Sequence, residues 1–169
     1  VPAAALHHTE TVLGFVVSTD WSFEQHFREV SGASVICHDP TIGSRFWRNR
    51  FIWDVLELLT LRRRTWQDVT DVFLYLSYRA FFGEDRVKHH LKLIGPSAFD
   101  GVSVQQALAE ASGAPSFLKI DIEGWEYRIL DELIELGEDV TGIVIEFHDV
   151  DLHRTRITDF LERLERFRL

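Results

Sequence analysis

Carboxylate and imidazole side chains gather at the ends of two apolar runs of the sequence. The run "FLKIDIEG" carries Asp121 and Glu123, and the run "GIVIEFHD" carries Glu146 and His148. Carboxylates and imidazoles transfer protons in enzymes, and carboxylate oxygens are also the ligands that hard divalent ions such as Mg²⁺ prefer. These four residues are therefore the candidate catalytic residues, and the same four are the candidate ligands if the protein holds a metal.

A purely structural explanation competes at each of these positions. Acidic residues near the start of a helix, such as Glu126 in the first turn of the helix predicted from Trp125, interact favourably with the helix dipole. Capping needs one acid, and Asp121 lies too early in its strand to cap comfortably, so we favour a functional role for Asp121. Both explanations stay open for Glu123. His148 fits either a general base or a strand-end histidine that water satisfies.

The turn after the first apolar strand is the second candidate region. Gly14 lies inside that strand, so the turn lacks the G-x-G-x-x-G pattern that brings a backbone close to a dinucleotide pyrophosphate. This argues against an NAD enzyme, whereas S-adenosylmethionine carries no phosphate. An acid closing the second strand is the usual acceptor for ribose hydroxyls, although an Asp-Pro pair is equally common in ordinary turns. The candidate cofactor-binding residues are Val16, Val17, Ser18, Thr19, Asp20, Asp39, Pro40 and Asp121.

Strand and helix patterns alternate about five times along the chain, which predicts an α/β fold with a Rossmann-like, doubly wound, mainly parallel sheet flanked by helices. Ligands of such folds bind beyond the carboxyl ends of the strands, so the candidate residues are predicted to lie along one rim. The predicted strands cover residues 11–18, 33–40, 89–95, 116–122 and 141–147, and the helices cover 20–30, 102–111, 125–136 and a tail with Ile157, Phe160, Leu161, Leu164 and Phe167 on one face.

An arginine-rich and aromatic insert at about 45–86 interrupts this alternation, and we expect it to be helical within a single domain, 1–169. A weak capping-box pair, Thr65 and Asp68, precedes one of its helical runs. In one interpretation the tryptophans Trp47, Trp53 and Trp66 pack into the core. In the other, the aromatic ring of Trp47 and the guanidinium groups of Arg45, Arg48 and Arg50 form a surface that binds the acceptor.

The composition narrows the class of protein. The net charge is −9, from 27 acidic and 18 basic residues, which disfavours nucleic acid and acidic membrane surfaces as partners. The single cysteine, Cys37, cannot form an intrachain disulfide, so a reducing, cytoplasmic setting is expected. The first residues lack the features of a signal peptide, and the absence of Met suggests an excised piece.

The stretch "FLKIDIEGWEYRIL" resembles the "hKhDhEGhE" signature of the FkbM-type S-adenosylmethionine-dependent methyltransferases. "GIVIEFH" is similar to the next strand of that family, and "YLSYRAFFGEDRVKHHLKLIG" to the segment leading into its third strand. "TVLGFVVSTDWSFEQHF" with "VICHDPT" resembles the first half-site of the branch related to methyltransferase-like protein 24. The resemblance covers roughly residues 11–160, and residues 121–126 are its most specific part.

The resemblance implies O-methylation of a hydroxyl on a sugar or polyketide-type small molecule, with S-adenosylmethionine as cofactor. Two departures matter: Val16 and Ser18 stand where the family has turn glycines, and two further strands usually complete such a sheet. Those strands either lie outside this piece or the domain is abbreviated. The alternatives are a catalytically inactive binding module, then a metal-dependent hydrolase or phosphotransferase using the acidic cluster, then a dehydrogenase. Metal dependence, the acceptor and the oligomeric state are not determined by the sequence.

Overall fold

The computed structural model describes residues 1, 3–60, 66–96 and 101–164. Strands and helices alternate along these residues, as the sequence pattern predicts. The strands are β1 (Thr11–Phe15), β2 (Ser34–His38), β3 (Val87–His90), β4 (Ser116–Ile120) and β5 (Val140–Ile145), and the helices are α1 (Ala3–His8), α2 (Ser22–Ser31), α3 (Ser44–Thr60), α4 (Trp66–Phe81), α5 (Val104–Ala109), α6 (Leu130–Ile134) and α7 (Val150–Arg163), with a 3₁₀ turn at Glu126–Arg128.

The strands form one five-stranded sheet in the order β3-β2-β1-β4-β5, and every neighbouring pair is parallel. Phe15 at the end of β1 pairs with His38 on one side and Ile120 on the other, so these strands end at the same edge of the sheet. The order reverses between β1 and β4, which is where an open parallel sheet forms its ligand-binding crevice. The structure confirms the α/β class and the parallel sheet, and both are consistent with a Rossmann-like fold.

Helices cover both faces of the sheet, and each face has its own apolar core. Leu13 and Phe15 of β1 belong to the first core with residues of α5, α6 and α7, among them Phe160. Val12 belongs to the second core with residues of α1 to α4, including the fully buried Trp47. Because side chains alternate along a strand, a continuous apolar run such as β1 supplies both cores.

The strands predicted at 11–18 and 116–122 end earlier than expected, at Phe15 and Ile120, because the chain turns there. Two other elements differ more. The strand expected at 89–95 is β3, which begins earlier and ends at His90, because its partner β2 ends at the paired residue His38. The helix expected from Trp125 is divided into the 3₁₀ turn and the short α6. The carboxylate of Glu126 bonds back to the N–H groups of Ile122 and Gly124, which holds the first turn tightly closed.

The insert is a pair of packed helices, α3 and α4. Trp47 is buried, as the core interpretation requires, but Trp53 is 67% exposed, so the expectation that it packs inward is wrong. The side chain of Trp66 and the capping pair with Thr65 lie outside the described residues.

The amphipathic pattern of the tail is only partly reflected in α7. Phe160 is buried and Ile157 packs on the first core, whereas Leu161 is 55% exposed and Phe167 lies outside the described residues. Within the described part of the chain, none of the helices combines the length and the apolar character needed to traverse a bilayer.

Candidate functional site

The turn after β1 has an unusual backbone. Val16 and Ser18 both adopt positive φ angles, 56° and 47°, a region that is costly for a residue with a side chain and most of all for a β-branched one. Glycine normally takes such positions. The turn therefore has a left-handed backbone although it contains no glycine, and strained backbone of this kind concentrates at functional sites. Val16 and Val17 are buried, whereas Ser18, Thr19 and Asp20 are exposed on the rim.

Asp39 holds this turn in place. One carboxylate oxygen accepts hydrogen bonds from the backbone N–H groups of Val17 and Ser18, at 3.0 and 2.7 Å. The other accepts from the N–H and the hydroxyl of Thr41, both at 2.6 Å. Asp39 is completely buried, and a carboxylate offers about four lone-pair sites. All of them are used inside the chain, so Asp39 has a clear structural role, and its contact with a ribose stays a prediction. Pro40 is exposed next to it.

Lys119 connects the turn to the next strand of the rim. Its Nζ donates to the carbonyl oxygen of Val16 at 3.2 Å and lies 3.4 Å from Oδ2 of Asp121, and only 15% of its side chain is exposed. The N–H of Asp121 donates to the carbonyl of Phe15. The two sides of the crevice between β1 and β4 are therefore joined by a cation and a backbone hydrogen bond.

A buried carboxylate lies beneath the same turn. Glu24 of α2 is completely buried, and neither of its oxygens has a hydrogen-bond partner among the described residues. Burial raises its pKa to about 7, against the attraction of Lys119. A Cβ on Gly14 would lie 2.6 Å from Oε1 of Glu24, so the glycine inside β1 makes room for this side chain.

His148 is held by a second buried carboxylate, that of Glu126. Nδ1 of His148 lies 2.9 Å from Oε1 of Glu126, which also accepts from the N–H groups of Ile122 and Gly124. The Tyr127 hydroxyl donates to the carbonyl of His148 and fixes its backbone. The hydrogen bond to Glu126 raises the pKa of His148 above its usual value. A carboxylate on Nδ1 directs Nε2 toward the rim, which is the arrangement of a general base with an orienting acid.

Nε2 of His148 faces the two acids predicted from β4. It lies 3.8 Å from Oδ1 of Asp121 and 3.5 Å from Oε2 of Glu123. Strand alternation does not bring these acids together, because β4 ends at Ile120 and Glu123 has a left-handed φ of 53°. The turn places them beside the histidine instead. Glu123 is 72% exposed, against 26% for Asp121.

Asp121, Glu146 and His148 also meet the geometric requirement for a metal site. One ligand atom from each lies within 4.8 Å of the others, a group found by a search of the described residues. Two carboxylates and one imidazole suit a divalent cation such as Mg²⁺ or Mn²⁺. Glu126 would then serve as the carboxylate that orients the histidine ligand from behind.

The structure thus brings the other three candidate catalytic residues, Asp121, Glu123 and Glu146, around His148. It separates this group from Asp39 by the width of β1. Sequence reasoning missed Glu24, Lys119 and Glu126. Two signals point to them in retrospect: Glu24 and Lys119 are charged residues in runs that are otherwise apolar on the buried side. Glu126 follows a glycine by two residues, the spacing at which a side chain can bond back to the turn.

No family model matches the chain, and neither the curated proteins nor the solved structures give a match.

Proposed function

We propose that this protein is an S-adenosylmethionine-dependent methyltransferase that methylates a hydroxyl of a small molecule, such as a sugar or a polyketide-type compound. The observation that carries the proposal is the reversal of strand order between β1 and β4. A left-handed turn lies at the end of β1 and Asp121 at the end of β4. Parallel α/β folds bind nucleotide-like cofactors at such reversals. The resemblance of residues 121–126 to the FkbM-type signature supports the same activity.

The residues of the crevice fit one end of the cofactor better than the other. The exposed Ser18, Thr19 and Asp20 and the carboxylate of Asp121 offer polar contacts for its amino-acid end. Asp39 stands at the expected place for the ribose, but its oxygens are committed to the chain, so ribose binding there requires part of that bonding to exchange. S-adenosylmethionine, when bound, would supply a methyl group carried on a positively charged sulfur.

His148 is the proposed general base. As the acceptor oxygen bonds to the methyl carbon and the carbon–sulfur bond breaks, the hydroxyl proton passes to Nε2 of His148. Glu126 then pairs with the imidazolium through Nδ1, and Asp121 and Glu123 lie on the side of Nε2. Only the neutral form of His148 can accept a proton, and this form prevails above the raised pKa of the histidine. Activity should therefore increase as the pH rises through that pKa.

The metal-site geometry provides a different role for the same histidine. A divalent ion on Asp121, Glu146 and His148 would occupy Nε2 and lower the pKa of an acceptor hydroxyl in place of a base. The same geometry favours a metal-dependent hydrolase as the second candidate function. The saturated Asp39 favours a third, a binding module that keeps the fold and has lost the cofactor.

Calorimetric titration with S-adenosylhomocysteine, with and without Mg²⁺, tests these functions. The proposal predicts micromolar binding that Asp121→Asn weakens. The matched control is Asp139→Asn, an exposed acid just before β5 and so at the opposite edge of the sheet, which should leave binding unchanged. Absence of binding by the folded protein would contradict the methyltransferase and favour the binding module. Methyl transfer that survives chelation would contradict the metal-dependent mechanism.

A further inference from the structure

A second group of metal-ligand side chains lies on the other side of β1 from Asp121. His38 and His90 are the last residues of β2 and β3 and are paired in the sheet, and Glu110 follows α5. Nε2 of His38 and Nε2 of His90 lie 3.5 and 3.0 Å from the same oxygen, Oε2 of Glu110. Two imidazole nitrogens thus each approach the same carboxylate oxygen beside the edge strand β3.

These contacts lie within ion-pair distance, but they do not have the geometry of hydrogen bonds. None of the three atoms has a hydrogen-bond partner of acceptable geometry within the described ranges, although all three are buried atoms. His38 is completely buried. A buried polar atom left without a partner costs about 1–3 kcal/mol, and buried imidazoles normally avoid this. A cation would stabilise such a group of buried nitrogen and oxygen atoms.

We propose that His38, His90 and Glu110 form a binding site for Zn²⁺ or a similar transition-metal ion. Zn²⁺ binds imidazole nitrogen and carboxylate oxygen at about 2.0–2.2 Å, which places neighbouring ligand atoms of a tetrahedron about 3.3–3.6 Å apart. The contact of His38 with Glu110, at 3.5 Å, has that spacing, and the contact of His90, at 3.0 Å, is slightly shorter. The nitrogen-rich ligand set distinguishes this site from the oxygen-rich group at Asp121, which suits a harder ion.

Formation of the site requires the ligand atoms to move closer together, because His38, His90 and Glu110 do not meet the mutual 4.8 Å spacing that Asp121, Glu146 and His148 meet. The two rings stack with their centroids 5.1 Å apart, so the metal must draw the two Nε2 atoms together. The side chains of His90 and Glu110 are 34% and 29% exposed, which leaves them free to rotate and leaves a path for the ion and for water as a fourth ligand. His38 is the fixed ligand, since it is enclosed by the first core and packs edge-on against Phe15.

The test measures metal binding alone, so it stands whether or not the protein is a methyltransferase. His148→Gln is the background, because it removes the candidate ligand of the other group. In this background we expect one Zn²⁺ to bind by calorimetry, and Co²⁺ to give the strong visible absorption of a tetrahedral site. Adding His90→Gln or Glu110→Gln should weaken Zn²⁺ binding by at least about 100-fold. Both side chains are partly exposed, so the variants should fold, which circular dichroism checks.

His89→Gln is the matched control, since His89 precedes His90 in the same strand and therefore points to the opposite face. It should leave Zn²⁺ affinity and the Co²⁺ spectrum unchanged. The proposal is overturned if the His148→Gln protein binds no Zn²⁺ at micromolar concentration. It is equally overturned if His90→Gln and Glu110→Gln bind Zn²⁺ as tightly as the His89→Gln control.

Discussion

The two halves of the rim hold their carboxylates in opposite ways. After β2, Asp39 is completely buried, and each of its oxygens accepts hydrogen bonds from the chain itself. After β4, Asp121 and Glu123 are partly or largely exposed and face a histidine at 3.8 and 3.5 Å. The first half uses its acid to shape the backbone, and the second leaves its acids accessible to a ligand. Position at a strand end therefore does not by itself make an acid a binding residue.

This difference predicts that the second half can be altered without loss of fold. His148→Gln should reduce methyl transfer by about 10²–10⁴-fold, the usual contribution of a general base, because no other imidazole faces Asp121 among the described residues. The free energy of unfolding should change by less than about 1 kcal/mol, since His148 is partly exposed. Transfer assays and urea unfolding measure the two effects.

The control for this variant is His26→Gln, an exposed histidine on α2. It should change neither transfer nor stability. If His148→Gln unfolds the protein as strongly as a core substitution would, the second half of the rim is structural too, and the comparison between the halves fails.

In the first half, Asp39→Asn should act on stability. In asparagine an NH₂ group replaces one of the two carboxylate oxygens, and NH₂ cannot accept a hydrogen bond. Either the N–H groups of Val17 and Ser18 or the N–H and hydroxyl of Thr41 would then face this NH₂ group and lose their acceptor. We expect the free energy of unfolding to fall by roughly 3–5 kcal/mol, measured by urea unfolding. Loss of cofactor binding in this variant would therefore not prove a ribose contact.

Asp20→Asn provides the comparison on the same turn. The Asp20 carboxylate accepts from the N–H of Ser22 at the surface, and hydrogen bonding with the Ser22 hydroxyl first and with this N–H second lowers its pKa. Asparagine keeps an acceptor there, so its cost should stay below about 1 kcal/mol. If Asp20→Asn and Asp39→Asn lower the free energy of unfolding equally, Asp39 does not hold the turn after β1 as its hydrogen bonds indicate.

Glu24 lies under the boundary between the two halves and should make stability depend on pH. Its pKa is about 7 in the folded protein against 4.5 for an ordinary glutamate, so the folded state binds the extra proton between these values. Stability from this group is complete below about pH 4.5 and is lost as the pH rises through 7. The predicted loss is roughly 2–3 kcal/mol between pH 5 and 8.

Glu24→Gln should remove this decrease in stability with pH. The measurement is the free energy of urea unfolding of the unchanged protein minus that of the Glu24→Gln variant, and this difference should decrease between pH 5 and 8. The difference also cancels the opposite contribution of His38, whose pKa is lowered by burial. Glu29→Gln, on the exposed side of the same helix, should leave the pH dependence unchanged. A Glu24→Gln protein that loses stability with pH as the parent does would show that Glu24 is not buried in solution.

The sequence predicts the sheet well because a buried strand can be identified from a few consecutive residues. Continuous apolar runs identify buried parallel strands, and alternation with helices identifies the crossovers, so the rim and the residues after β4 and β5 follow directly. The outcome for Trp53 shows the limit: a tryptophan in a helix has the same local pattern whether a neighbour covers it or not. Only the packing of α3 against α4 determines its 67% exposure.

The partners of the site residues could not be predicted for a related reason. Whether Asp39 faces a ligand or the N–H groups of Val17 and Ser18 depends on the left-handed turn, which valine and serine do not signal. Likewise Glu126 and His148 are far apart in the chain, and they meet only because β4 and β5 are neighbours in the sheet. Pairings across strands are properties of the fold, so the sequence indicates the candidates and not their contacts.

The smallest predicted effect concerns the two carboxylates that face His148 from opposite sides. Glu126→Gln removes the strongest cause of the raised pKa, so the histidine pKa should fall toward its usual value, measured by NMR titration of the ring. Glu123→Gln should lower it less, because Glu123 is 72% exposed and solvent screens its charge. Since a raised histidine pKa stabilises the fold at low pH and this contribution is lost as the pH rises through it, Glu126→Gln should also reduce that pH dependence. If the two variants lower the pKa equally, Glu126 acts only as a nearby charge, and the oriented Nδ1 contact that distinguishes the second half of the rim is absent in solution.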